Sequence, residues 1–224
     1  MLFAQSIPLG TSDCESLGSG WLVQPDNAWS SLAYTVVGVL IIVAAFRSAR
    51  SDRTMAIVFG ALMGMTGIGS FLYHGPQGGV AAYVHDITFL ATLWFLVIMD
   101  PASTYGIRRR TAWMALGAVA VAMTAVLLVV PDATNVLTAI AVVALIVSDV
   151  LMHRTGGING RWYAAALLLL GASLAFNLAG RSDTATCDPE ALVQFHALWH
   201  VLSAVGLGAY YVAMTVPRSQ EPTP

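Results

Sequence analysis

Seven uninterrupted apolar stretches divide the chain, at residues 29–46, 54–73, 81–99, 111–130, 134–152, 162–179 and 191–216. Each is close to the ~20 residues that cross a ~30 Å hydrocarbon core, so the pattern predicts seven membrane-spanning helices. Short polar connections punctuated by turn formers separate them, among them Gly75-Pro76-Gln77-Gly78-Gly79 and Pro131-Asp132. Such tight turns set successive helices antiparallel. Lipid tolerates only backbone that satisfies itself, so the fold class is an all-α, seven-helix integral membrane bundle. The predicted organisation is an N-terminal cap at 1–28, a seven-helix domain at 29–216 and a tail at 217–224.

Composition agrees with the pattern. Of 224 residues, 57% are hydrophobic and 10% charged, against roughly 25% charged in a soluble domain. The net charge of -2 offers no basic excess for nucleic acid, and no feature implies a protein partner. All ten basic residues are arginine, which excludes a retinal Schiff base on lysine. Arg47, Arg50, Arg53, Arg108, Arg109, Arg110, Arg154, Arg161 and Arg218 fall on one side of the seven spans, and Arg181 alone on the other. Basic loops are retained in the cytoplasm, so the N-terminus is expected outside and the C-terminus inside. Residues 1–20 lack the basic and apolar regions of a cleavable signal, so the cap is expected to be retained. A bacterial inner membrane fits these short loops.

Both cysteines, Cys14 in the cap and Cys187 between spans six and seven, then lie outside. An oxidising compartment would allow them to form a disulfide, and two unpaired thiols are the alternative.

Ionisable groups inside a bilayer are costly unless paired or liganded. Ser70 and His74 stand four residues apart near the outer end of span two, and His196 and His200 four apart in span seven, so each pair shares a helical face. Asp86 opens span three, across the short turn from His74. With span seven beginning near Ala191, His196 and His200 would lie roughly 7 and 13 Å below its outer end, level with His74 and Asp86. Three neutral imidazoles with an open fourth position make a catalytic zinc site. Trp199 is expected to pack, as a wall of that pocket. His85 and His153 need only a solvated role. Asp149 is expected to pair with an inner-loop arginine, Asn177 to approach the site or bond another helix, and Gly60, Gly64, Gly67 and Gly69 to mark close helix packing.

The ordered set Ser70-x-x-x-His74, Asp86, His196-x-x-x-His200 resembles the motifs of the CREST superfamily of seven-helix membrane hydrolases and receptors. The cap pair Cys14-Glu15, the stretch from Gln24 to Ser31 and Trp199 before His200 are most similar to the alkaline ceramidase branch. The resemblance implies zinc on His74, His196 and His200, proton handling by Asp86, and oxyanion stabilisation by Ser70. It further implies calcium in the cap, at Asp13 and Glu15. Here the pattern departs, because Gln24 stands at an acidic ligand position and a ligand asparagine has no counterpart, while calcium wants six or more oxygens.

The expected function is therefore zinc-dependent hydrolysis of an N-acyl lipid drawn from the bilayer, releasing fatty acid and amine. The same machinery could cleave another acyl lipid. A different class of reading is a receptor or regulator like the progestin and adipoQ receptor branch, with a structural zinc; that branch has the reverse orientation. A transporter using Asp86 and Asp149 would leave the three histidines unexplained.

Overall fold

The computed structural model describes residues 9–47, 53–154 and 158–215. Each apolar stretch closes its own backbone hydrogen bonds, as lipid requires. The helices are α1 (Pro25–Arg47), α2 (Arg53–His74), α3 (Ala81–Thr104), α4 (Arg109–Val129), α5 (Thr134–Arg154), α6 (Gly160–Ala179) and α7 (Phe195–Thr215), with a short 3-10 turn at Pro131–Ala133 leading into α5. All seven are long and apolar enough to span a membrane. The chain is thus an all-helical, multi-pass membrane protein. Arg50, Arg218 and the tail at 217–224 lie outside the described residues.

Two helix starts differ from the sequence expectation, each for a local reason. α1 begins at Pro25, four residues early, because Glu15 caps it: its two carboxylate oxygens accept from the backbone N–H of Asp26 and Asn27 at 2.8 and 2.9 Å. Those donors have no partner within the helix, and a carboxylate also suits the positive end of its dipole. α7 begins at Phe195, four residues later than Ala191. The Gln194 amide donates to the carbonyls of Asp188, Pro189 and Ala191, each at 3.2 Å, and closes a turn that excludes the preceding residues. Leu192 and Val193, apolar but outside the helix, are 97% and 57% exposed.

α1 packs between α2 and α7, α2 against α3, α6 against α7, and α3 carries α4 and α5. Backbones meet where side chains are absent, since a Cβ on Gly38 would stand 2.3 Å from the Gly60 carbonyl oxygen. Cβ atoms on Gly67 and Gly69 would likewise meet α1 and α3, whereas one on Gly64 would meet open space. Phe59 stacks between Phe95 and Tyr211 in the main core. α5 and α6 barely touch. The bundle is therefore an incomplete ring with a gap along one side.

The cap folds over one end. Gln77, in the turn after α2, exchanges hydrogen bonds with both backbone groups of Leu9. Val23 and Gln24 donate backbone N–H groups to the carbonyls of Gly75 and His74. Cys14 and Cys187 form the disulfide, which ties the cap to the α6–α7 connection.

Candidate metal centre

His74 is the last residue of α2, and His196 and His200 occupy the first two turns of α7. One ring nitrogen from each lies within 4.8 Å of the others. All three side chains are buried, at 1%, 7% and 1% exposure. The later start of α7 corrects the expected depth. His196 sits one residue into its helix, about 1.5 Å, rather than roughly 7 Å down. Since His74 terminates α2, the rings still converge on one level, immediately beneath the cap.

Second partners orient the rings. The Gln24 amide oxygen lies 2.8 Å from His74 Nδ1. An amide oxygen only accepts, so Nδ1 carries the proton and Nε2 keeps its lone pair. That Nε2 is buried without a hydrogen-bond partner, as is Nε2 of His196. His196 Nδ1 lies 3.3 Å from an Asp13 carboxylate oxygen, whose twin is 3.8 Å from His74 Nδ1. His200 turns Nδ1 toward the hydroxyls of Ser30 and Ser31, at 3.0 and 3.4 Å. Buried ring nitrogens without partners are expensive. A metal ion on the three rings would satisfy the unpartnered nitrogens of His74 and His196 together, and neighbours such as the Gln24 amide, the Asp13 carboxylate and the serine hydroxyls suit metal-binding imidazoles. The residues fit a metal ion.

Ser70 is buried beside this cluster, its Oγ 2.8 Å from Ser31 Oγ and 3.4 Å from His200 Nε2. Asp86, on the second turn of α3, is held from both sides: one oxygen accepts from His85 Nδ1 at 2.8 Å and the other from the Thr134 hydroxyl at the start of α5. His85 is accordingly more than a solvated helix-start residue, for its ring also packs 4.7 Å from that of Tyr73. Trp199 lies 4.7 Å from the His196 ring and 4.9 Å from the His200 ring, centroid to centroid.

The two carboxylates expected for calcium are committed elsewhere, Asp13 to the imidazoles and Glu15 to the α1 N-terminus. The Gln24 amide nitrogen collects the neighbouring carbonyls of Gly10 and Glu15 at 3.1 and 3.0 Å. Burial pushes the Asp13 carboxyl up to about 6, against the nearby charges of Arg181 and His85. It raises Glu15 as well, against the two N–H donors of α1.

Below the histidines runs a cavity of about 1160 Å³. Asp13, His74, Asp86 and Trp199 line its cap end, and apolar side chains such as Leu145 and Leu167 its middle, where α5 and α6 stand apart. Asn177 lines it from α6. At the far end Asp149 departs from the expected arginine pairing, accepting instead from the hydroxyls of Tyr210 at 2.6 Å and Tyr163 at 3.1 Å. His153, expected to need only a solvated role, belongs to α5 and stacks on Tyr163.

Gln24, Ser30, Ser31, His85, Thr134 and Arg181 are among the lining or supporting residues whose part at this site the sequence pattern did not mark. The chain is thus a multi-pass membrane protein with a three-histidine cluster able to hold a metal ion. No family model matches it, and no curated protein is significantly similar.

Proposed function

We propose that this protein is a zinc-dependent intramembrane hydrolase, ceramidase-like, that cleaves the amide of an N-acyl lipid to a free fatty acid and an amine. The observation that carries the reading is the trio of buried imidazoles at the head of a long, mostly apolar cavity. Hydrolytic metal sites leave one position open, and the cavity would bring a lipid carbonyl to it. An ion fitting three neutral nitrogens is zinc, which when bound supplies a Lewis acid for the carbonyl and a water activated near neutral pH.

Asp86 would take a proton from the attacking water and return it to the leaving amine. Its two fixed donors, His85 and Thr134, hold the carboxylate in one orientation for that task. The Ser70 hydroxyl would donate to the carbonyl oxygen as negative charge grows there, worth about 2.7–4 kcal/mol where such donors are well aligned. The acyl chain would lie in the gap between α5 and α6, and the cap would shield the reacting end. The arginine distribution supports a cap facing outward across a bacterial inner membrane.

Purified protein is expected to hold about one zinc per chain, lost in His196→Ala and His200→Ala. Across a panel of N-acyl and O-acyl lipids, fatty acid release should require Asp86 and fall about 10²-fold or more in Asp86→Asn. Retained metal in both histidine variants rejects the ligand set. Metal binding without turnover of any lipid in the panel replaces the hydrolase with a receptor or regulator holding a structural ion.

A further inference from the structure

Arg181 stands in the mouth of the cavity, directly after the end of α6. Its backbone pairs with that of Asp13 in an isolated antiparallel bridge. Residues opposite each other in such a bridge send their side chains to the same face. Asp13 reaches the imidazoles of His196 and His74, so Arg181 shares the face turned toward the reacting end of the site.

The arginine is also rigidly seated. Gly180 lets the end of α6 press on the start of α7, where a Cβ would come 2.7 Å from the His196 backbone nitrogen. Cys14 N–H donates to the Gly180 carbonyl at 2.8 Å, and Ser182 N–H to that of Ser12 at 3.0 Å. The Thr184 hydroxyl bonds the carbonyls of Ala179 and Arg181, and the Cys14–Cys187 disulfide closes the unit. A side chain on so fixed a base loses less freedom on binding a ligand.

Its guanidinium, however, has no carboxylate within 4.0 Å among the described residues, although Asp13 is its cross-bridge neighbour. Asp13 faces the histidines, and Asp86 is held by His85 and Thr134. Of the two other acids on the lining, Asp132 is exposed beyond α4, and Asp149 is held by Tyr210 and Tyr163 at the far end of the cavity. A divalent cation on three neutral imidazoles offsets the charges of Asp13 and Asp86. Among the described residues lining the cavity, Arg181 is the one arginine, a planar fork matched to a carboxylate or phosphate.

We propose that Arg181 selects the substrate: the preferred lipid carries an anionic group, carboxylate or phosphate, on the amine side of its amide. This rests on the hydrolase reading above. The acyl half needs the apolar middle of the cavity, which leaves the amine half at the cap end beside the guanidinium. A neutral N-acyl sphingoid base leaves that fork unused; an N-acyl amino acid fills it.

The test is a matched pair with one acyl chain, N-palmitoylglycine and N-palmitoylethanolamine, given to zinc-loaded full-length protein in a neutral detergent free of phospholipid. Wild type should favour the anionic substrate in kcat/KM by about tenfold or more. Arg181→Gln should collapse that ratio, chiefly through KM for the anionic lipid, and Arg181→Lys should restore part of it. Equal losses on both substrates, or a wild-type preference for the neutral one, overturn the assignment while leaving the hydrolase standing. Relief of inhibition by free palmitate in Arg181→Gln, with the substrate ratio unchanged, also overturns it, because the arginine would then hold the product carboxylate. Turnover of neither substrate by wild type, when other N-acyl lipids are cleaved, overturns the selection alone; turnover of no lipid overturns both. Zinc content and thermal midpoint equal to wild type in both variants exclude a folding artefact.

Discussion

Gln24 illustrates how one side chain serves two structures. Its oxygen fixes the proton of His74 on Nδ1, and its nitrogen gathers the carbonyls of Gly10 and Glu15 that would otherwise be buried and unpaired. Gln24→Ala removes both services. The expected outcome is a 10–100-fold loss of zinc affinity, read by competition with a chelating dye. A thermal midpoint lowered by the equivalent of about 1–3 kcal/mol should accompany it, from the carbonyls left without a donor. A calcium chelator should leave the midpoint of wild type unchanged, since the amide nitrogen already collects those oxygens. Little of this was legible beforehand. The spacing of His74, His196 and His200 marks a candidate ligand set because two of them share a helical stripe and all three are too polar for lipid. Gln24 and Asp13 act across the fold from a cap, and Arg181 from the α6–α7 connection, segments that have no periodicity, so their partners appear only once the chain is closed. His85 was misjudged for a related reason: its contacts, Asp86 beside it and Tyr73 from α2, depend on ring orientation, which spacing does not give.

At the scale of elements, the lipid made the helices readable, and their ends were readable only where lipid alone decides. The six helix bodies from α1 to α6 fall where the apolar stretches predict because an unsatisfied peptide group is costly at membrane depth. α7 deviates because Ala191, Leu192 and Val193 look like membrane residues, yet Gln194 closes a turn that leaves them outside the helix. That shift carries His196 up to the cap and sets it against the end of α6. The contact depends on Gly180, whose added Cβ would stand 2.7 Å from the His196 nitrogen and 3.0 Å from the Phe176 carbonyl oxygen. Neither neighbour is the end of a flexible side chain. Gly180→Ala is therefore expected to push the first turn of α7 away from α2 and to weaken zinc binding at least tenfold. The cost to the fold should be smaller, about 1–3 kcal/mol, as for other overpacked contacts. Metal titration followed by thermal unfolding of the same sample separates the two effects; unchanged affinity would mean that the histidines tolerate a displaced α7.

At the scale of the molecule, the three-histidine cluster and the cavity are built by different parts of the bundle. α1, α2 and α7 pack closely and hold the histidines with the cap, while α3, α5 and α6 surround the cavity without closing it. A rigid site opening on a loosely bounded, apolar space is suited to a fixed reaction on chains of varied length. The length limit should then be adjustable without touching the metal. Gly171 lines the cavity from α6, and a Cβ there would meet nothing within 4 Å. It lies eight residues from the cap end of α6, or about 12 Å along the axis. Gly171→Leu would project an apolar side chain across the path of a long acyl group while leaving room above for a short one. Zinc affinity is expected to match wild type, because a Cβ at Gly171 would meet no ligand or supporting residue among the described residues. The ratio of kcat/KM for a long-chain substrate over a short-chain one should fall about tenfold or more, the scale of a steric misfit of one to three kcal/mol. Equal rates on both lengths would place the acyl chain outside this cavity, and with it the gap between α5 and α6 would lose its role as the lipid's path.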